Sequence, residues 1–191
     1  MTVFDEAIMF AVKVHEGMIR KASGAPYILH PLEVASIAGT ITSDPEVLAA
    51  AVLHDTVEDT ETMLDEIRER FGGRVASLVA SETEDKRRDV PPDESWIIRK
   101  KESLEALKKE KDPGARIIWL ADKLSNIRSL ALLKEKEGGA MWLRFNQRDP
   151  AKQEWYFRAV IENTKELSDT AAWRELVELT EKVFEGADNN G

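Results

Sequence analysis

Cysteine is absent from the 191-residue chain, which excludes disulfides, cysteine-based zinc sites and a thiol nucleophile. This absence is typical of a reducing compartment, and we expect a cytoplasmic protein. Long apolar runs are missing too, since no uninterrupted segment approaches the roughly 20 residues that a membrane-spanning helix requires. The first segment, MTVFDEAIMFAVKVHEG, carries acidic residues within an amphipathic pattern, which predicts a helix and not a signal peptide.

Positive charge is also scarce: 27 Lys and Arg residues stand against 36 Asp and Glu residues, giving a net charge of -9. This balance argues against binding to nucleic acid or to a membrane surface, because both require a basic face. A small anionic ligand is still compatible, since basic residues cluster locally at 20–21, 86–88 and 99–101. Each cluster taken alone is interpreted as a solvated helix face.

Helical periodicity runs through nearly the whole chain. Apolar residues recur at spacings of three and four, and there is no credible pair of strands. We therefore predict an all-α bundle, organised as one domain over residues 1–185, because a hydrophobic content of 42% supports one ordinary core. The tail GADNNG, residues 186–191, is expected to be disordered.

Helix boundaries are predicted from proline and capping signals. A helix is expected to begin at Pro31 after a loop rich in Gly and Pro, and Thr62 is expected to cap a later helix. The helix that opens at Asp44 is predicted to continue through Asp59. It is apolar nearly all round as far as Leu53, which predicts a position at the centre of the bundle.

The stretch LHDTVEDT places four ionisable groups on this apolar helix. His54 and Glu58 are four residues apart, as are Asp55 and Asp59, so these side chains are expected to lie beside one another on neighbouring turns. His54 and Asp55 diverge by about 100° and flank a common point. A divalent metal at that point would relieve both the repulsion between carboxylates and the cost of burying them.

Two further segments supply ligands of the same kind. Asp122 and Asn126 are four residues apart in a second strongly apolar helix, and His30 lies in the Gly- and Pro-rich loop. With His54 and Asp55 they give two imidazoles and two carboxylates, a set that suits Mn²⁺, Fe²⁺ or Zn²⁺. The alternative is a capped loop histidine, a surface histidine and two acids on helix surfaces. Spacing alone leaves both interpretations open.

Four segments, taken in order, resemble the hydrolase domain of the RelA/SpoT family, a branch of the HD-domain metallophosphohydrolases. They are RKASGAPYILHPLEVA, AAVLHDTVEDT, FGGRVASLVASETEDK and RIIWLADKLSNIRSL. The resemblance extends from about Phe4 to Leu132, and the whole chain is about the size of that domain alone. It implies an HD-type helical bundle and a stand-alone small alarmone hydrolase, similar to the metazoan SpoT homologues.

The resemblance also implies an activity and a cofactor. Family members use Mn²⁺ to remove the 3′-pyrophosphate from guanosine tetra- or pentaphosphate, which yields GDP or GTP and pyrophosphate. By position, the metal ligands implied are His30, His54, Asp55 and Asp122. The expected partner is thus a small anionic nucleotide, and neither nucleic acid nor a membrane.

Other family positions carry over to this chain. Glu58 and Asp59 match an acidic pair that orients or deprotonates the attacking water, the alternative being solvated acids that end the helix. Tyr27 is interpreted as loop packing and His15 as structural. The implied substrate contacts are Arg20, Lys21, Lys86, Asn126 and Ser129.

Three positions depart from the family pattern. Ser125 stands where a histidine or aromatic residue is common, Lys123 replaces the usual arginine, and Glu82 occupies a normally apolar position. None is an implied ligand, so hydrolysis stays expected. The departures leave open an adenine alarmone, the 2′-phosphate of NADPH or a deoxynucleotide as the substrate, or a catalytically silent nucleotide-binding module.

Overall fold

The computed structural model describes residues 1–20, 23–85, 87 and 89–185, and the tail predicted at 186–191 lies outside them. Within these ranges the chain is helical and has no strand, so the all-α prediction is confirmed. None of the described helices has the length and hydropathy needed to cross a membrane. The α-helices are α1 (Val3–Val14), α2 (Leu29–Ala38), α3 (Pro45–Leu53), α4 (Thr56–Asp59), α5 (Leu64–Phe71), α6 (Gly73–Glu82), α7 (Pro92–Lys109), α8 (Pro113–Glu137), α9 (Pro150–Asn163) and α10 (Ala171–Phe184). Short 3-10 helices follow α8 at Gly138–Arg144 and α9 at Lys165–Leu167.

Helices α3 and α8 lie at the centre of the core. In α3 the side chains of Val47 and of residues 49–53 are buried, because this helix lacks the polar face of a surface helix. Gly114 lets the first turn of α8 approach α3 closely, since a Cβ atom there would lie 2.7 Å from Val47 Cγ2. This close approach helps to set where residues at the far end of α3 meet the middle of α8.

Aspartate followed by proline begins three of the helices. The side chains of Asp44, Asp112 and Asp149 each accept a hydrogen bond from the backbone N–H two residues further on. Proline at the next position suits the first helical turn, where an N–H would have no partner inside the helix. The starts of α3, α8 and α9 are therefore determined locally.

Arg74 on α6 links two of these helix starts. Its Nε donates to Asp112 Oδ2 over 2.8 Å, and its Nη1 donates to Asp44 Oδ2 over 2.7 Å. The hydrogen bonds from Arg74 lower the pKa of both aspartates. Arg74 thus holds the N-termini of α3 and α8 together.

Replacing Arg74 with alanine is expected to lower the free energy of unfolding by about 1 kcal/mol, because the shared contact between two helix starts is lost. The effect is modest because the Arg74 side chain is 35% exposed. Urea denaturation followed by circular dichroism measures it. Arg68→Ala is the control, since Arg68 is 57% exposed and pairs only with Asp65 on its own helix among the described residues. Equal changes in the two variants would refute the role of Arg74.

Two predicted boundaries are wrong. Helix α2 begins at Leu29, so Pro31 lies inside its first turn, where a missing N–H costs no helical hydrogen bond. Thr62 does not cap α5, whose N-cap is Met63 without a side-chain hydrogen bond. The Thr62 hydroxyl oxygen instead lies 2.8 Å from the Thr60 hydroxyl oxygen.

The helix predicted from Asp44 through Asp59 is also interrupted, since α3 ends at Leu53 and α4 begins at Thr56. Side chains donate hydrogen bonds to backbone carbonyls that would accept backbone N–H groups in a continuous helix. His54 Nδ1 donates to Ala51 O over 2.9 Å, and Thr56 Oγ1 donates to Leu53 O over 2.7 Å. His54 and Asp55 therefore lie at a junction between two helices.

Candidate metal centre

The four side chains expected to bind a metal converge on one place. His30 Nε2 lies 3.0 Å from Asp122 Oδ1 and 3.5 Å from Asp55 Oδ2. His54 Nε2 lies 3.1 Å from Asp55 Oδ2 and 3.6 Å from Asp122 Oδ1. Three separate segments thus meet: the first turn of α2, the α3–α4 junction and the middle of α8.

These groups are buried. His30, His54 and Asp122 are only 4%, 2% and 5% exposed, and the Asp55 side chain is 20% exposed. The alternative of a surface histidine with two acids on helix surfaces is therefore wrong. Burying ionisable groups is costly unless charge and hydrogen bonds compensate, so their clustering is itself a sign of a ligand site.

Each histidine directs its Nε2 atom toward the cluster because its Nδ1 atom is occupied elsewhere. His54 Nδ1 donates to Ala51 O, and His30 Nδ1 lies 2.8 Å from Ser125 Oγ. His54 Nε2 is buried and has no well-aligned hydrogen-bond partner in the described part of the chain. A cation at the centre of the cluster would satisfy it.

The cluster attracts positive charge. Burial opposes a charge on His54, but the neighbouring Asp55 and Asp122 carboxylates outweigh it and raise the pKa of His54 well above its usual value. A divalent cation at this place would meet the same demand, because metal binding displaces protons from its ligands.

The spacing of the donor atoms fits a single ion. Metal–ligand bonds of about 2.0–2.2 Å place neighbouring ligand atoms about 2.8–3.6 Å apart in octahedral or tetrahedral coordination. The four separations between histidine nitrogen and carboxylate oxygen run from 3.0 to 3.6 Å. Such a mixed nitrogen and oxygen set binds Mn²⁺, Fe²⁺ and Zn²⁺ alike.

Glu58 is placed beside this cluster. It lines a cavity of about 180 Å³ whose walls also include Asp55 and Asp122. Its Oε2 atom accepts a hydrogen bond from the backbone N–H of Glu84 over 3.2 Å. Glu58 thus has a fixed position at the cavity that a substrate would enter.

Asp59 has a different environment. It is not among the residues that line this cavity, and its Oδ2 lies 2.7 Å from the Tyr27 hydroxyl, which also lies 2.6 Å from Asp55 Oδ2. Burial and the two carboxylates raise the pKa of Tyr27 far above its usual value, so the phenol remains a donor. Sequence reasoning assigned Tyr27 only to loop packing. Its ring does also stack on His15, at 5.1 Å between centroids.

Three of the expected substrate contacts form a hydrogen-bonded chain. Arg20 Nη2 donates to Asn126 Oδ1 over 3.2 Å and to Ser129 Oγ over 3.3 Å. Asn126 Nδ2 in turn donates to Asp122 Oδ1 over 2.8 Å, which connects the chain to the metal cluster. Outside the described residues lie the two remaining predictions, Lys21 and Lys86.

Two lysines that were not predicted as site residues line the cavity. Lys123 is 8% exposed and its Nζ contacts the Asp122 carboxylate. Lys100 Nζ donates to Glu84 Oε1 over 2.7 Å and lies 4.8 Å from the centre of the Tyr156 ring. The interpretation of the basic cluster on α7 as a solvated face is therefore wrong for Lys100.

Glu82 also faces this polar cavity. Burial raises the pKa of Glu82 well above its usual value, against the opposing charge of Lys123. Its Oε1 atom is buried and has no hydrogen-bond partner among the described residues. A carboxyl group thus occupies a position that is normally apolar in the family that the sequence resembles.

A second cavity, of about 210 Å³, adjoins the first and shares Arg20, Asn126, Lys100, Lys123 and Tyr156 with it. Its other walls are largely aromatic and apolar, and they include Trp96, Leu130, Phe145 and Phe157. A charged cavity lined by His30, Asp55 and Asp122 therefore continues into an aromatic one.

Comparison with known families identifies this arrangement. A family model described as HD domain matches residues 7–146. The chain belongs to the HD-domain family. The predicted resemblance to this family is confirmed, and His30, His54 and Asp122 form its possible metal site in this chain, with ligand atoms within 4.8 Å of one another.

Individual relatives narrow the comparison within the HD-domain family. The mouse protein named guanosine-3′,5′-bis(diphosphate) 3′-pyrophosphohydrolase MESH1 is 45% identical over 130 residues, covering 65% of this chain and 68% of the mouse protein. An Aquifex aeolicus protein named guanosine-3′,5′-bis(diphosphate) 3′-pyrophosphohydrolase is 37% identical over 131 residues, but the match spans only 18% of that longer protein. A solved structure of a metazoan orthologue of SpoT that hydrolyses ppGpp superposes with a TM-score of 0.75 at 27% identity, covering 98% of this chain and 97% of that one.

Proposed function

We propose that this HD-domain protein is a metal-dependent 3′-pyrophosphohydrolase that cleaves guanosine 3′,5′-bis(diphosphate), or its pentaphosphate analogue, to GDP or GTP and pyrophosphate. The observation that carries the proposal is the convergence of two histidines and two aspartates beside a cavity lined by cationic side chains. The names and activities of the mouse protein and of the metazoan structure support the choice of substrate.

The residues that would hold the metal are His30, His54, Asp55 and Asp122, and the metal proposed is Mn²⁺ by analogy with the family that the sequence resembles. When bound, such an ion acidifies a water molecule and polarises a phosphoryl oxygen. Fe²⁺ or Zn²⁺ suits the same donor set.

Glu58 accepts the proton of the attacking water, since it is the carboxylate that lines the cavity one turn beyond His54 and Asp55. Asp59 acts through Tyr27, whose hydroxyl it contacts. This hydroxyl reaches Asp55 at the same time, so Tyr27 and Asp59 position a proposed metal ligand.

Hydrolysis breaks the bond between O3′ of the ribose and the adjacent phosphorus. The water oxygen joins that phosphorus, and O3′ leaves with a proton. Arg20, Lys100 and Lys123 line the cavity and meet the negative charge on the pyrophosphate. Arginine suits this role because its planar fork donates two parallel hydrogen bonds to phosphate.

The nucleoside occupies the adjoining aromatic cavity, where a purine can stack on Trp96, Phe145 or Tyr156. Stacking is available to guanine and adenine alike. The second candidate substrate is an adenine alarmone or the 2′-phosphate of NADPH. It would occupy the same cavity, so only an experiment distinguishes it from the guanosine alarmone.

The direct test incubates the purified protein and Mn²⁺ with guanosine tetraphosphate, an adenine alarmone, NADPH and deoxynucleotides in parallel. We expect GDP and pyrophosphate in equal amounts from the guanosine alarmone, with the highest kcat/KM of the panel, and loss of turnover when a chelator removes the metal. Turnover of another nucleotide without pyrophosphate release from the guanosine alarmone would refute the substrate assignment. Binding without turnover of any compound would instead indicate a silent module.

A further inference from the structure

The Nδ1 atom of His30 has a side-chain partner, whereas that of His54 has a backbone partner. His30 Nδ1 lies 2.8 Å from Ser125 Oγ, and the Ser125 hydroxyl donates to Glu33 Oε2 over 2.7 Å. Since the single hydroxyl proton points to Glu33, Ser125 Oγ accepts the hydrogen bond from His30 Nδ1–H. Ser125 is fully buried, so water does not substitute for it readily.

The chain of contacts continues beyond Glu33. Arg128 Nη1 donates to Glu33 Oε1 over 3.0 Å, and the same guanidinium donates to both carboxylate oxygens of Glu175 on α10, over 2.7 and 2.8 Å. Glu33 thereby lies between a serine hydroxyl and an arginine. Its carboxylate oxygen accepts the Ser125 hydroxyl proton and so keeps that proton directed away from His30.

We propose that Ser125 and Glu33 are positioning residues that fix the tautomer and the ring orientation of His30. With the proton held on Nδ1, the Nε2 lone pair of His30 faces Asp55 and Asp122, where the cation is expected. Hydrogen bonds to the second nitrogen of a ligating histidine typically change metal affinity by about 10–100-fold. The inference rests on the proposed metal centre and is independent of which nucleotide is hydrolysed.

The two histidines therefore respond differently to mutation. The partner of His54 is the Ala51 carbonyl, which cannot donate and which no side-chain substitution removes. The partner of His30 is a serine, at a position where this chain departs from the family pattern. Only His30 depends on Ser125, and this asymmetry provides an internal control.

The test measures affinity for Zn²⁺ and for Mn²⁺ alone, without nucleotide, by competition with a chromogenic chelator. Ser125→Ala is expected to weaken binding about tenfold or more, and Glu33→Gln to weaken it in the same direction. Glu175→Gln is the matched control, because it removes the negative charge of the distal partner of Arg128 and leaves the contact between Ser125 and Glu33 intact. Its affinity should equal that of the wild type.

Nitrogen-15 NMR of the histidine rings in the Zn²⁺-loaded protein gives a second readout. The Nδ1–H signal of His30 should be protected from exchange in the wild type and lose protection in Ser125→Ala, while that of His54 stays unchanged.

Wild-type affinity together with an unchanged His30 signal in Ser125→Ala would overturn the proposal, as would a wild-type protein that binds neither metal. If Ser125→Ala does not fold, the same two measurements on Glu33→Gln test the proposal. Metal affinity that depends on Ser125, in a protein that hydrolyses none of the nucleotides, would refute the proposed function and leave this inference standing.

Discussion

Asp122→Ala is expected to abolish turnover and metal retention together, with kcat reduced by about 10³-fold or more. Asp122 Oδ1 is the carboxylate oxygen nearest to His30 Nε2, at 3.0 Å. Its removal also leaves the buried cation of Lys123 without the carboxylate that it contacts, and this uncompensated charge repels a metal. Asp55→Ala should behave alike, because Asp55 Oδ2 lies 3.1 Å from His54 Nε2.

Steady-state kinetics and elemental analysis after gel filtration measure the two effects, and circular dichroism checks that the helical fold remains. Asp65→Ala serves as the control, since the Asp65 side chain is 84% exposed on α5 and pairs with Arg68. The control should keep full activity and full metal content. An Asp122→Ala protein that retains both would show that Asp122 is not a ligand.

Glu58→Gln is expected to lower kcat by about 10²–10⁴-fold while the metal content stays at the wild-type level. Glutamine keeps the size of the side chain and its capacity to accept a hydrogen bond from the backbone of Glu84, but it no longer takes a proton from water. The predicted separation of turnover from metal content distinguishes a general base from a ligand.

The matched control for Glu58 is Glu61→Gln, because Glu61 is exposed in the segment just after α4. We expect unchanged kinetics for this variant. Loss of metal from Glu58→Gln would instead make Glu58 a ligand, and wild-type turnover would remove it from the mechanism.

Helix α3 illustrates how far the sequence predicts the fold. Its start follows from the Asp44 cap and the proline after it, and its burial follows from its uninterrupted apolar residues. Its end at Leu53 was missed because periodicity carries no information on side-chain hydrogen bonds to the preceding carbonyls. His54 and Thr56 make such bonds here, and they stop the helix at the position where the site begins.

The convergence of His30, His54, Asp55 and Asp122 was predictable because three of these residues are ionisable groups placed within apolar helices, which is a strong local signal. Lys100 and Tyr27 lack that signal. Lys100 lies in an ordinary-looking basic cluster, and only the packing of α7 against the site buries it beside Tyr156. The contacts of Tyr27 with Asp55 depend on how the loop before α2 folds back, which no local pattern encodes. The extent of the domain, residues 1–185, stays a prediction.

The most direct test is a crystal structure of the Mn²⁺-loaded protein, with diffraction data collected near the manganese absorption edge. We expect one strong anomalous peak within about 2.2 Å of His30 Nε2, His54 Nε2 and one oxygen each of Asp55 and Asp122. A metal peak elsewhere in an active protein, or full activity with no peak at these four atoms, would contradict this expectation.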